Sequence, residues 1–325
     1  MKDFCVLGSG ISGSYIANLL SKNHTVEIFD KAKGLGGRSS NRRYKNKLSF
    51  DHGLQYISPK NKKFSSFIKS LIDKNIFKEW KGTHLNLKET SREAKKYIGV
   101  KGNNDISKYL VKNIKVNSNS KISKIIYKSN HWTVTVNNKK HHFKNLILTC
   151  PFPQIKPLAR KYLDKSILNF NVRMQPNITV LVAFKGYKNI PISSIKLKDE
   201  ILGWCANENS KKRFNSNLNL WTIQSNINWS KKYINKYKNK KKFVINKILD
   251  RFCFLTGFNK KDAVFKNIHG WKYSFNTHST SKKSYWNYKY RLGICADWFV
   301  GPYAESAWIS SNSLFEKIKK NPPRI

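Results

Sequence analysis

Three glycines with the spacing Gly8-x-Gly10-x-x-Gly13 directly follow a short apolar run at residues 4–7. Residues 14–20 continue with the spacing of an amphipathic helix, so the pattern predicts a strand, a tight turn and a helix. In such a turn Gly8 adopts backbone angles that other residues disfavour, and Gly10 lets the main chain approach a pyrophosphate. Because the helix N-terminus also offers free N–H groups to an anion, the predicted chemistry is the binding of a dinucleotide through its phosphates.

Asp30 ends the next apolar run, residues 25–29, and lies 22 positions after Gly8. A carboxylate at this point can bind both hydroxyls of an adenosine ribose and would repel a phosphate there, which disfavours NADP-type binding. Two plainer interpretations exist, a glycine turn that serves packing alone and a solvated carboxylate at a strand end. The strand, the helix and the acid at the right distance together favour the dinucleotide.

A second glycine turn follows at residues 33–40 and contains Gly34, Gly36, Gly37 and Arg38. Dehydrogenases of the plain Rossmann kind have no use for such a turn, whereas the pyrophosphate and ribityl chain of FAD gain from a second close approach of the backbone. A guanidinium can also fork onto a phosphate or a neighbouring carbonyl. The alternative is a glycine-rich surface loop with a solvated arginine, but the position directly after the ribose acid favours FAD.

With these motifs the chain resembles the renalase-type FAD-dependent oxidoreductases, within the amine-oxidase-like flavoprotein superfamily. The resembling stretches run from end to end: Val6-Leu-Gly-Ser-Gly-Ile-Ser-Gly, Ile28-Phe-Asp-Lys, Gly36-Gly-Arg-Ser, Phe50-Asp-His-Gly-Leu-Gln-Tyr, Tyr97-Ile-Gly-Val, Trp229-Ser, His269-Gly-Trp-Lys-Tyr, Leu292-Gly-Ile-Cys-Ala-Asp-Trp and Ala304-Glu-Ser-Ala-Trp-Ile-Ser. The chain has Ala296-Asp297 where the family usually has Gly-Asp, and Ser310-Ser311 where it usually has Ser-Gly. We expect the added methyl group at Ala296 to displace the FAD contact slightly, without loss of the cofactor.

The resemblance implies an α/β fold with a discontinuous, Rossmann-like FAD-binding domain and an α+β substrate domain that contains an antiparallel sheet. The implied contacts to FAD are Gly8, Gly10, Ile11, Ser12, Gly13, Asp30, Lys31, Gly36, Gly37, Arg38, Asp51, His52, Gly53, Asp297, Glu305, Ser306 and Ala307. Asp297 is expected near the ribityl and phosphate part. The helix N-terminus around Ser306 is expected to stabilise negative charge at the pyrimidine edge of the reduced ring.

The expected boundaries are 1–75, 119–155 and 288–325 for the FAD-binding domain, and 76–118 and 156–287 for the substrate domain. The hydrophobic pattern predicts helices at 64–77, 106–111, 229–251 and 305–318, a polar insertion at 85–92, and strands at 122–127, 132–136, 143–149, 180–184, 201–206, 218–225, 263–271 and 291–295. The strands between 180 and 271 predict an antiparallel sheet that roofs the flavin and forms the substrate cavity.

Aromatic and polar residues in the matched motifs are candidates for the lining of that cavity. We take His52, Gln55, Tyr56 and Trp308 as the candidate catalytic residues, and Trp271 and Tyr273 as further lining residues. The alternative for all of them is an ordinary place in the core or at a strand end. His52 could act as a base, although the sequence shows no partner for it.

The formal net charge of +45 taken alone would indicate a nucleic acid or an anionic membrane surface as partner. The basic residues, however, are mostly lysines spread along the whole chain among many Asn, Ile, Tyr and Phe residues, as an A/T-rich coding sequence produces. The densest run, residues 236–242, is typical of a solvated helix face. We therefore expect no specific nucleic acid partner, and a positive field that attracts anionic substrates.

The five cysteines are scattered without a CxxC pair, so neither a zinc site nor a disulfide framework is expected, and a reducing cytoplasm fits. His141-His142 is interpreted as a surface pair, so no metal site is predicted. The sequence shows neither a cleavable leader nor an apolar segment of membrane-spanning length.

The leading functional hypothesis is an FAD-dependent oxidase or dehydrogenase that takes a hydride from a small, planar, anionic reductant and passes electrons to O2 or another acceptor. The resemblance implies dihydro-NAD(P) isomers, a nucleotide-like substrate. Oxidation of an amine or a desaturation of a polyisoprenoid is the second hypothesis. The third is a non-catalytic flavoprotein whose basic surface binds nucleic acid.

Overall fold

The computed structural model describes residues 1–45, 48–87, 94–186 and 190–320. Its α-helices are α1 (Ile11–Leu20), α2 (Lys62–Asp73), α3 (Asp105–Leu110), α4 (Phe152–Ala159), α5 (Lys165–Leu168), α6 (Ile227–Tyr233), α7 (Lys241–Thr256) and α8 (Ala304–Lys320). Its strands are β1 (Lys2–Leu7), β2 (Val26–Phe29), β3 (Asn41–Tyr44), β4 (Leu48–Asp51), β5 (Phe77–Glu79), β6 (Thr83–Asn86), β7 (Tyr97–Gly99), β8 (Lys115–Asn117), β9 (Ile122–Lys128), β10 (His131–Val136), β11 (Lys139–Leu148), β12 (Met174–Phe184), β13 (Ile192–Lys196), β14 (Leu202–Asn207), β15 (Asn219–Ser225), β16 (Ala263–Asn276), β17 (Tyr285–Asn287) and β18 (Leu292–Ile294).

The first sheet has a parallel centre. Its order is β17-β18-β11-β1-β2-β8, and the hairpin of β9 and β10 continues from β11. β1 pairs in parallel with both β2 and β11, and β11 pairs in parallel with β18. The apolar run of β1 has this place because Phe4 and Val6 are buried on one face, against α1 and α8, while Cys5 is buried on the other.

The second sheet is mostly antiparallel and has the order β16-β12-β15-β14-β13-β6. Along β12 the side chains alternate: Ile178 and Val180 join the core under α7, while Asn177 points to the opposite face. That opposite face is turned toward the glycine turns of the first sheet. The mixed α/β class, with a Rossmann-like parallel sheet and an antiparallel sheet, is therefore confirmed.

Several predicted elements need correction. The helix expected at 64–77 ends at Asp73, because Asn75 has φ +54° and Phe77 begins β5. The helix expected at 229–251 is divided into α6 and α7. Residues 85 and 86 of the expected polar insertion lie in β6, and residues 88–92 lie outside the described residues. The first sheet also includes β8 and β17, which the predicted segments of the dinucleotide domain exclude.

Candidate dinucleotide site

The first glycine turn is closed as tightly as the sequence predicts. Gly8 has φ +105°, and its N–H donates to the carbonyl of Phe29 over 2.9 Å. A Cβ atom on Gly13 would lie 1.9 Å from the carbonyl oxygen of Gly8, so only glycine fits there. α1 begins at Ile11, directly after this turn, and its first N–H groups have no partner within the helix.

The second glycine turn lies directly on the first. The N–H of Gly36 donates to the carbonyl of Ser9 over 3.0 Å, and Gly36 and Gly37 both have positive φ, +110° and +53°. A Cβ atom on Gly37 would lie 3.2 Å from Cα of Gly10. The two turns, which are about 25 residues apart in sequence, therefore form one wall of exposed backbone.

Asp30 is held at the edge of the first turn. One carboxylate oxygen accepts hydrogen bonds from the N–H and the hydroxyl of Ser9 at 2.7 and 2.6 Å, and the other accepts from the N–H of Ala32 at 2.8 Å. Asp30 thus braces the glycine turn directly, a role that the sequence analysis missed. Its contact with a ribose stays a prediction, as does a contact from Lys31, whose side chain is exposed.

Arg38 joins three parts of the site. Its guanidinium forks onto the carboxylate of Asp297 at 2.8 and 2.6 Å and also donates to the carbonyl of Ser274 in β16 at 2.9 Å. The second glycine turn is thereby fixed to the segment before α8 and to the antiparallel sheet. A bidentate pair of this kind fixes orientation as well as distance.

A cavity of about 250 Å³ lies between this wall and the antiparallel sheet. Its lining residues are Gly10, Ile11, Ser12, Gly36, Arg38, Ser39, Gly53, Leu54, Thr149, Asn177, Gln224, Trp271, Ser274, Phe275, Asp297, Pro302, Tyr303, Ala304 and Ala307. Nine of these were predicted, namely Gly10, Ile11, Ser12, Gly36, Arg38, Gly53, Trp271, Asp297 and Ala307. The structure brings them together from five separate stretches of the chain.

Thr149, Asn177 and Gln224 line the cavity although the sequence analysis did not single them out. The hydroxyl of Thr149 donates to the carbonyl of Leu7 over 2.8 Å, and the amide of Gln224 donates to the carbonyl of Gly53 over 2.8 Å. Gln224 is a polar residue in the predicted strand 218–225. The alternation of side chains along that strand could have indicated which of its faces is turned toward the cavity. Asn177 lies before the predicted strand 180–184 and carried no such signal.

Asp51 and Gln55, predicted as a cofactor contact and a cavity residue, face away from the cavity into a set of buried charges. We name Asp51, Glu208, Lys211 and Arg213 the ion cluster. Lys211 contacts Asp51 at 2.8 Å and Glu208 at 3.0 Å, and Arg213 contacts Asp51 at 2.5 Å. Gln55 donates to the carbonyl of Asp51 and accepts from Lys211.

Electrostatics explain why Asp51 belongs to this cluster. Burial alone would raise the pKa of the Asp51 carboxyl, but the charges of Arg213 and Lys211 hold it well below its ordinary value. Burial raises the pKa of Glu208, which the same two cations oppose. A carboxylate with no solvent exposure needs such partners, so Asp51 is not available to a ligand.

His52 stands between the cavity and the ion cluster. Its ring stacks on Trp271 with centroids 5.2 Å apart and meets His269 at 5.0 Å, and Trp271 donates its indole N–H to the carbonyl of His52. Burial, followed by the charges of His269 and Arg42, lowers the pKa of His52 to about 3. Burial and Arg42 lower the pKa of His269 to about 4. Both imidazoles are therefore neutral at pH 7, which disfavours a role for His52 as a protonated acid.

Five further predicted residues lie away from the cavity lining. Trp308 packs against Tyr15, Phe64 and Phe67, where α8 meets α1 and α2. The carboxylate of Glu305 accepts from the N–H groups of residues 60 and 61, before α2. Tyr56 packs against Trp80 and Trp204, and Ser306 is buried beside Gly301. Tyr273 of β16 is half-buried and is not among the lining residues. Packing between helices accounts for Trp308, and the hydrogen bonds to the segment before α2 account for Glu305.

The described residues fit the phosphate-bearing part of a dinucleotide. The glycine wall offers close approach to backbone, the N-terminus of α1 faces the cavity through Ile11 and Ser12, and the N-terminus of α8 faces it through Ala304 and Ala307. Two helix N-termini directed at one space favour a ligand with separated negative charges.

Comparison with known proteins agrees with this geometry. A family model for NAD(P)-binding Rossmann-like domains matches residues 6–71. Renalase from Mus musculus is 28% identical over 170 residues, which make up 49% of this chain and 49% of renalase. Over that half, this chain is similar to renalase. The matched part spans about half the length of that relative.

Solved structures show the same fold over nearly the whole chain. A protein assigned as a protoporphyrinogen oxidase from Exiguobacterium sp. 255-15 has a TM-score of 0.72 at 8% identity, with 98% of this chain and 99% of that one covered. A putrescine oxidase bound to putrescine has a TM-score of 0.69 at 10% identity, with 98% and 99% covered. An oxidoreductase from Methanosarcina mazei reaches 0.68 at 12% identity, with 97% and 100% covered.

The predicted resemblance to renalase and the predicted fold class are thus confirmed, and the Rossmann-like domain fits FAD. At these identities, similarity to solved structures shows the fold of this chain. It does not extend the substrates of those structures to this chain. Across the described ranges, no helix is both long and apolar enough to span a bilayer.

Proposed function

We propose that this protein is an FAD-dependent oxidoreductase. The observation that carries the proposal is the hydrogen bond from Gly36 to Ser9, which joins two glycine turns into one wall facing the cavity. A cofactor with a pyrophosphate and a long ribityl chain gives such an extended backbone wall a purpose. Renalase homology over half of the chain and the shared fold of oxidoreductases support the same class.

FAD would supply the redox chemistry by accepting a hydride at its ring. Gly10, Ile11, Ser12 and Gly36 would hold the pyrophosphate, and Arg38, oriented by Asp297, would hold the adjoining part of the cofactor. The N-terminus of α8 at Ala304 and Ala307 would stabilise negative charge that develops on the ring. In this proposal no protein acid or base is required, since the chain mainly binds and orients.

The substrate that we propose is a small planar reductant of the dihydro-NAD(P) type, oxidised with O2 or another acceptor receiving the electrons. Trp271 lines the cavity beside the side-chain amides of Asn177 and Gln224, whose donor and acceptor atoms are of the kind that pairs with a carboxamide. Among the lining residues the one carboxylate, Asp297, is occupied by Arg38. This arrangement disfavours an amine cation, which remains the second candidate because a putrescine oxidase shares the fold.

The absorption spectrum of purified protein, before and after acid denaturation, tests the cofactor. We expect a flavin spectrum and release of FAD into solution by acid. A colourless protein that does not take up added FAD would contradict the proposal. Flavin that stays with the denatured chain would instead indicate covalent attachment.

Anaerobic mixing with the 2- and 6-dihydro isomers of NAD, with 4-dihydro-NAD and with putrescine tests the substrate class. We expect rapid bleaching of the flavin by an isomer and none by putrescine. Gln224→Leu should weaken the isomer about tenfold through one lost hydrogen bond, measured per bound flavin because the same amide also donates to the carbonyl of Gly53. Gln154→Leu on α4, outside the lining residues, is the matched control. Bleaching by putrescine alone would replace this substrate with an amine.

We also propose a reducing compartment, the cytoplasm. All five cysteines lie among the described residues and are free thiols, of which Cys5, Cys205 and Cys295 are buried. Free thiols throughout are typical of a reducing environment. Fractionation of the native host followed by detection with an antibody would test this location.

A further inference from the structure

The solvent-facing side of α7 carries two exposed phenylalanines. Phe243, Lys247, Asp250 and Phe254 follow one another at intervals of four, three and four residues, so they lie along one stripe of the helix, which we name the α7 stripe. Phe254 is 78% exposed and Phe243 is 43% exposed. The opposite side of the helix, with Val244, Ile248 and Phe252, is buried against the antiparallel sheet. Phe243 also contacts the ring of Tyr233 in α6, with centroids 5.8 Å apart, so packing accounts for part of the Phe243 ring and for none of Phe254.

Further exposed apolar residues lie at the same end of the domain. Leu255 is 43% exposed and follows Phe254, and Val264 at the start of β16 is 40% exposed. Lys266 lies on the same face of β16 as Ile268, which packs in the core under α7. The pairing of β16 with β12 shifts beside Val264, and Ala263 packs at the edge of the same core. Val264 is therefore an exposed apolar residue at the edge of the core that α7 covers.

Cations surround this apolar surface. Lys240, Lys247, Lys261 and Lys266 are exposed, and none of them forms a salt bridge within the described parts of the chain. The Lys247 ammonium lies 5.9 Å from the ring centre of Phe243, and the Arg251 guanidinium lies 5.3 Å from that of Phe254. The acid of the stripe, Asp250, is paired with Lys260, and Arg251 is paired with Asp199.

We propose that the α7 stripe, with Leu255, Val264 and the four lysines, is a docking surface for an anionic lipid bilayer. Exposed phenylalanine and leucine side chains can enter the boundary between headgroups and acyl chains while lysines beside them bind the anionic headgroups. The surface is a convex helix face on which the aliphatic Leu255 and Val264 accompany two separate phenylalanines, whereas single-stranded nucleic acid is bound in grooves that stack bases on aromatic rings. Charge complementarity and the aliphatic residues therefore favour the bilayer. This inference does not depend on the proposed enzymatic function.

Sedimentation of the full chain with vesicles tests the proposal. We expect binding to vesicles of phosphatidylglycerol and phosphatidylcholine, and little binding to phosphatidylcholine alone. Phe254→Ser should weaken the partitioning about tenfold, because one aromatic ring no longer leaves water. The double substitution Lys240→Gln and Lys247→Gln should weaken it on the order of 25-fold, at about fivefold for each charge.

Matched controls separate this surface from general charge. Leu87→Ser, at another exposed leucine (59%), should leave partitioning unchanged, and Lys139→Gln with Lys140→Gln on β11 should reduce it less than about twofold. Wild-type protein that ignores anionic vesicles would overturn the proposal, as would binding that Phe254→Ser does not weaken. Phe254-dependent binding of a single-stranded oligonucleotide without vesicle binding would assign the surface to nucleic acid instead. A dimer in solution that Phe254→Ser dissociates would assign it to a second copy.

Discussion

The cavity and the ion cluster share one short segment, residues 51–55, and use it in opposite ways. Gly53 and Leu54 face the cavity, whereas Asp51 and Gln55 face the ion cluster. The cavity side is mostly backbone, uncharged side chains and one partly exposed ion pair. The cluster side is sealed, with Asp51, Glu208 and Lys211 wholly buried. Within residues 51–55, the two least polar residues, Gly53 and Leu54, form the part of the wall that faces the ligand.

The difference has a physical cause. A ligand site must leave its donors and acceptors available, and glycine backbone does so without filling the space. Buried charges, in contrast, must be satisfied inside the protein or they cost several kcal/mol each. The polar side chains of Asp51 and Gln55 therefore fix the segment to the ion cluster, and this fixes the position of Gly53 between them.

The largest effect is expected on the cluster side. Asp51→Ala would leave Lys211 and Arg213 with one carboxylate between them, and we expect the free energy of unfolding to fall by about 3–5 kcal/mol. Urea denaturation measures this loss. Asp250→Ala, which breaks an ion pair in which the aspartate is 54% exposed, is the control and should cost less than about 1 kcal/mol. Equal losses in the two variants would remove the distinction between the regions.

The next effect is a dependence on pH, which comes from His52 between the two regions and from His269. Both pKa values are lower in the folded protein, about 3 and about 4, than the ordinary 6.5. Below pH 6.5 the unfolded chain therefore binds more protons. Stability that is fully present above pH 6.5 is lost as the pH falls toward the folded values, by about 1.4 kcal/mol per pH unit for each histidine.

Urea denaturation at a series of pH values below 6.5 checks this slope. The double substitution His52→Gln and His269→Gln should flatten it, because neither group then takes up a proton on unfolding. His142→Gln, at an exposed histidine of β11, serves as the control. An unchanged slope in the double variant would show that other groups govern the acid response.

A smaller effect is expected on the cavity side. A Cβ atom on Gly53 would lie 2.0 Å from the carbonyl oxygen of Arg38 and 3.1 Å from the Trp271 ring, so Gly53→Ala must move the wall. We expect a cost of about 1–3 kcal/mol, seen mainly as weaker FAD binding in titrations of apoprotein. Gly34→Ala has open space around it and should change nothing measurable. Tight FAD binding by both variants would contradict a ligand at this wall.

The smallest expected effect comes from Ser311, where relatives usually have glycine. Its hydroxyl contacts the carbonyls of Ser12 and Ala307 at 3.1 and 2.9 Å and so links α8 to α1 beside the cavity. Ser311→Ala should cost about 1 kcal/mol of unfolding free energy, measured by urea denaturation. A variant more stable than the wild type would show that the Ser311 hydroxyl destabilises the contact between α8 and α1.

The backbone half of the site was predictable from the sequence. Glycine spacing reports directly on main-chain conformation, so the tight turn at Gly8, the close packing at Gly13 and the second backbone approach at Gly36 were predicted without knowledge of distant residues. Arg38 and Asp297 were also both predicted as cofactor contacts. Their ion pair with each other was not predicted, since it joins residues 259 positions apart in the sequence. Neighbouring residues largely determine the local backbone conformation, and the glycine wall depends chiefly on that conformation.

The side-chain half was not predictable to the same extent. Asp51 and Gln55 look like ligand-binding residues until Lys211 and Arg213 are seen beside them, and a lysine-rich sequence does not indicate which lysine is buried. Trp308 was expected in the cavity but packs between helices, since both roles suit an aromatic residue in a matched motif. Which face a residue shows depends on tertiary contacts, and a single sequence does not contain them.

The order in which the walls are synthesised follows from where they lie along the polypeptide. Residues 10–12 leave the ribosome first, yet the facing wall at residues 297–307 emerges almost 300 codons later. Until then the nascent chain lacks both Asp297, which steadies Arg38, and the helix that covers Ser12. Capture of the cofactor would therefore have to wait until translation has passed that point, and a prematurely terminated product would stay colourless.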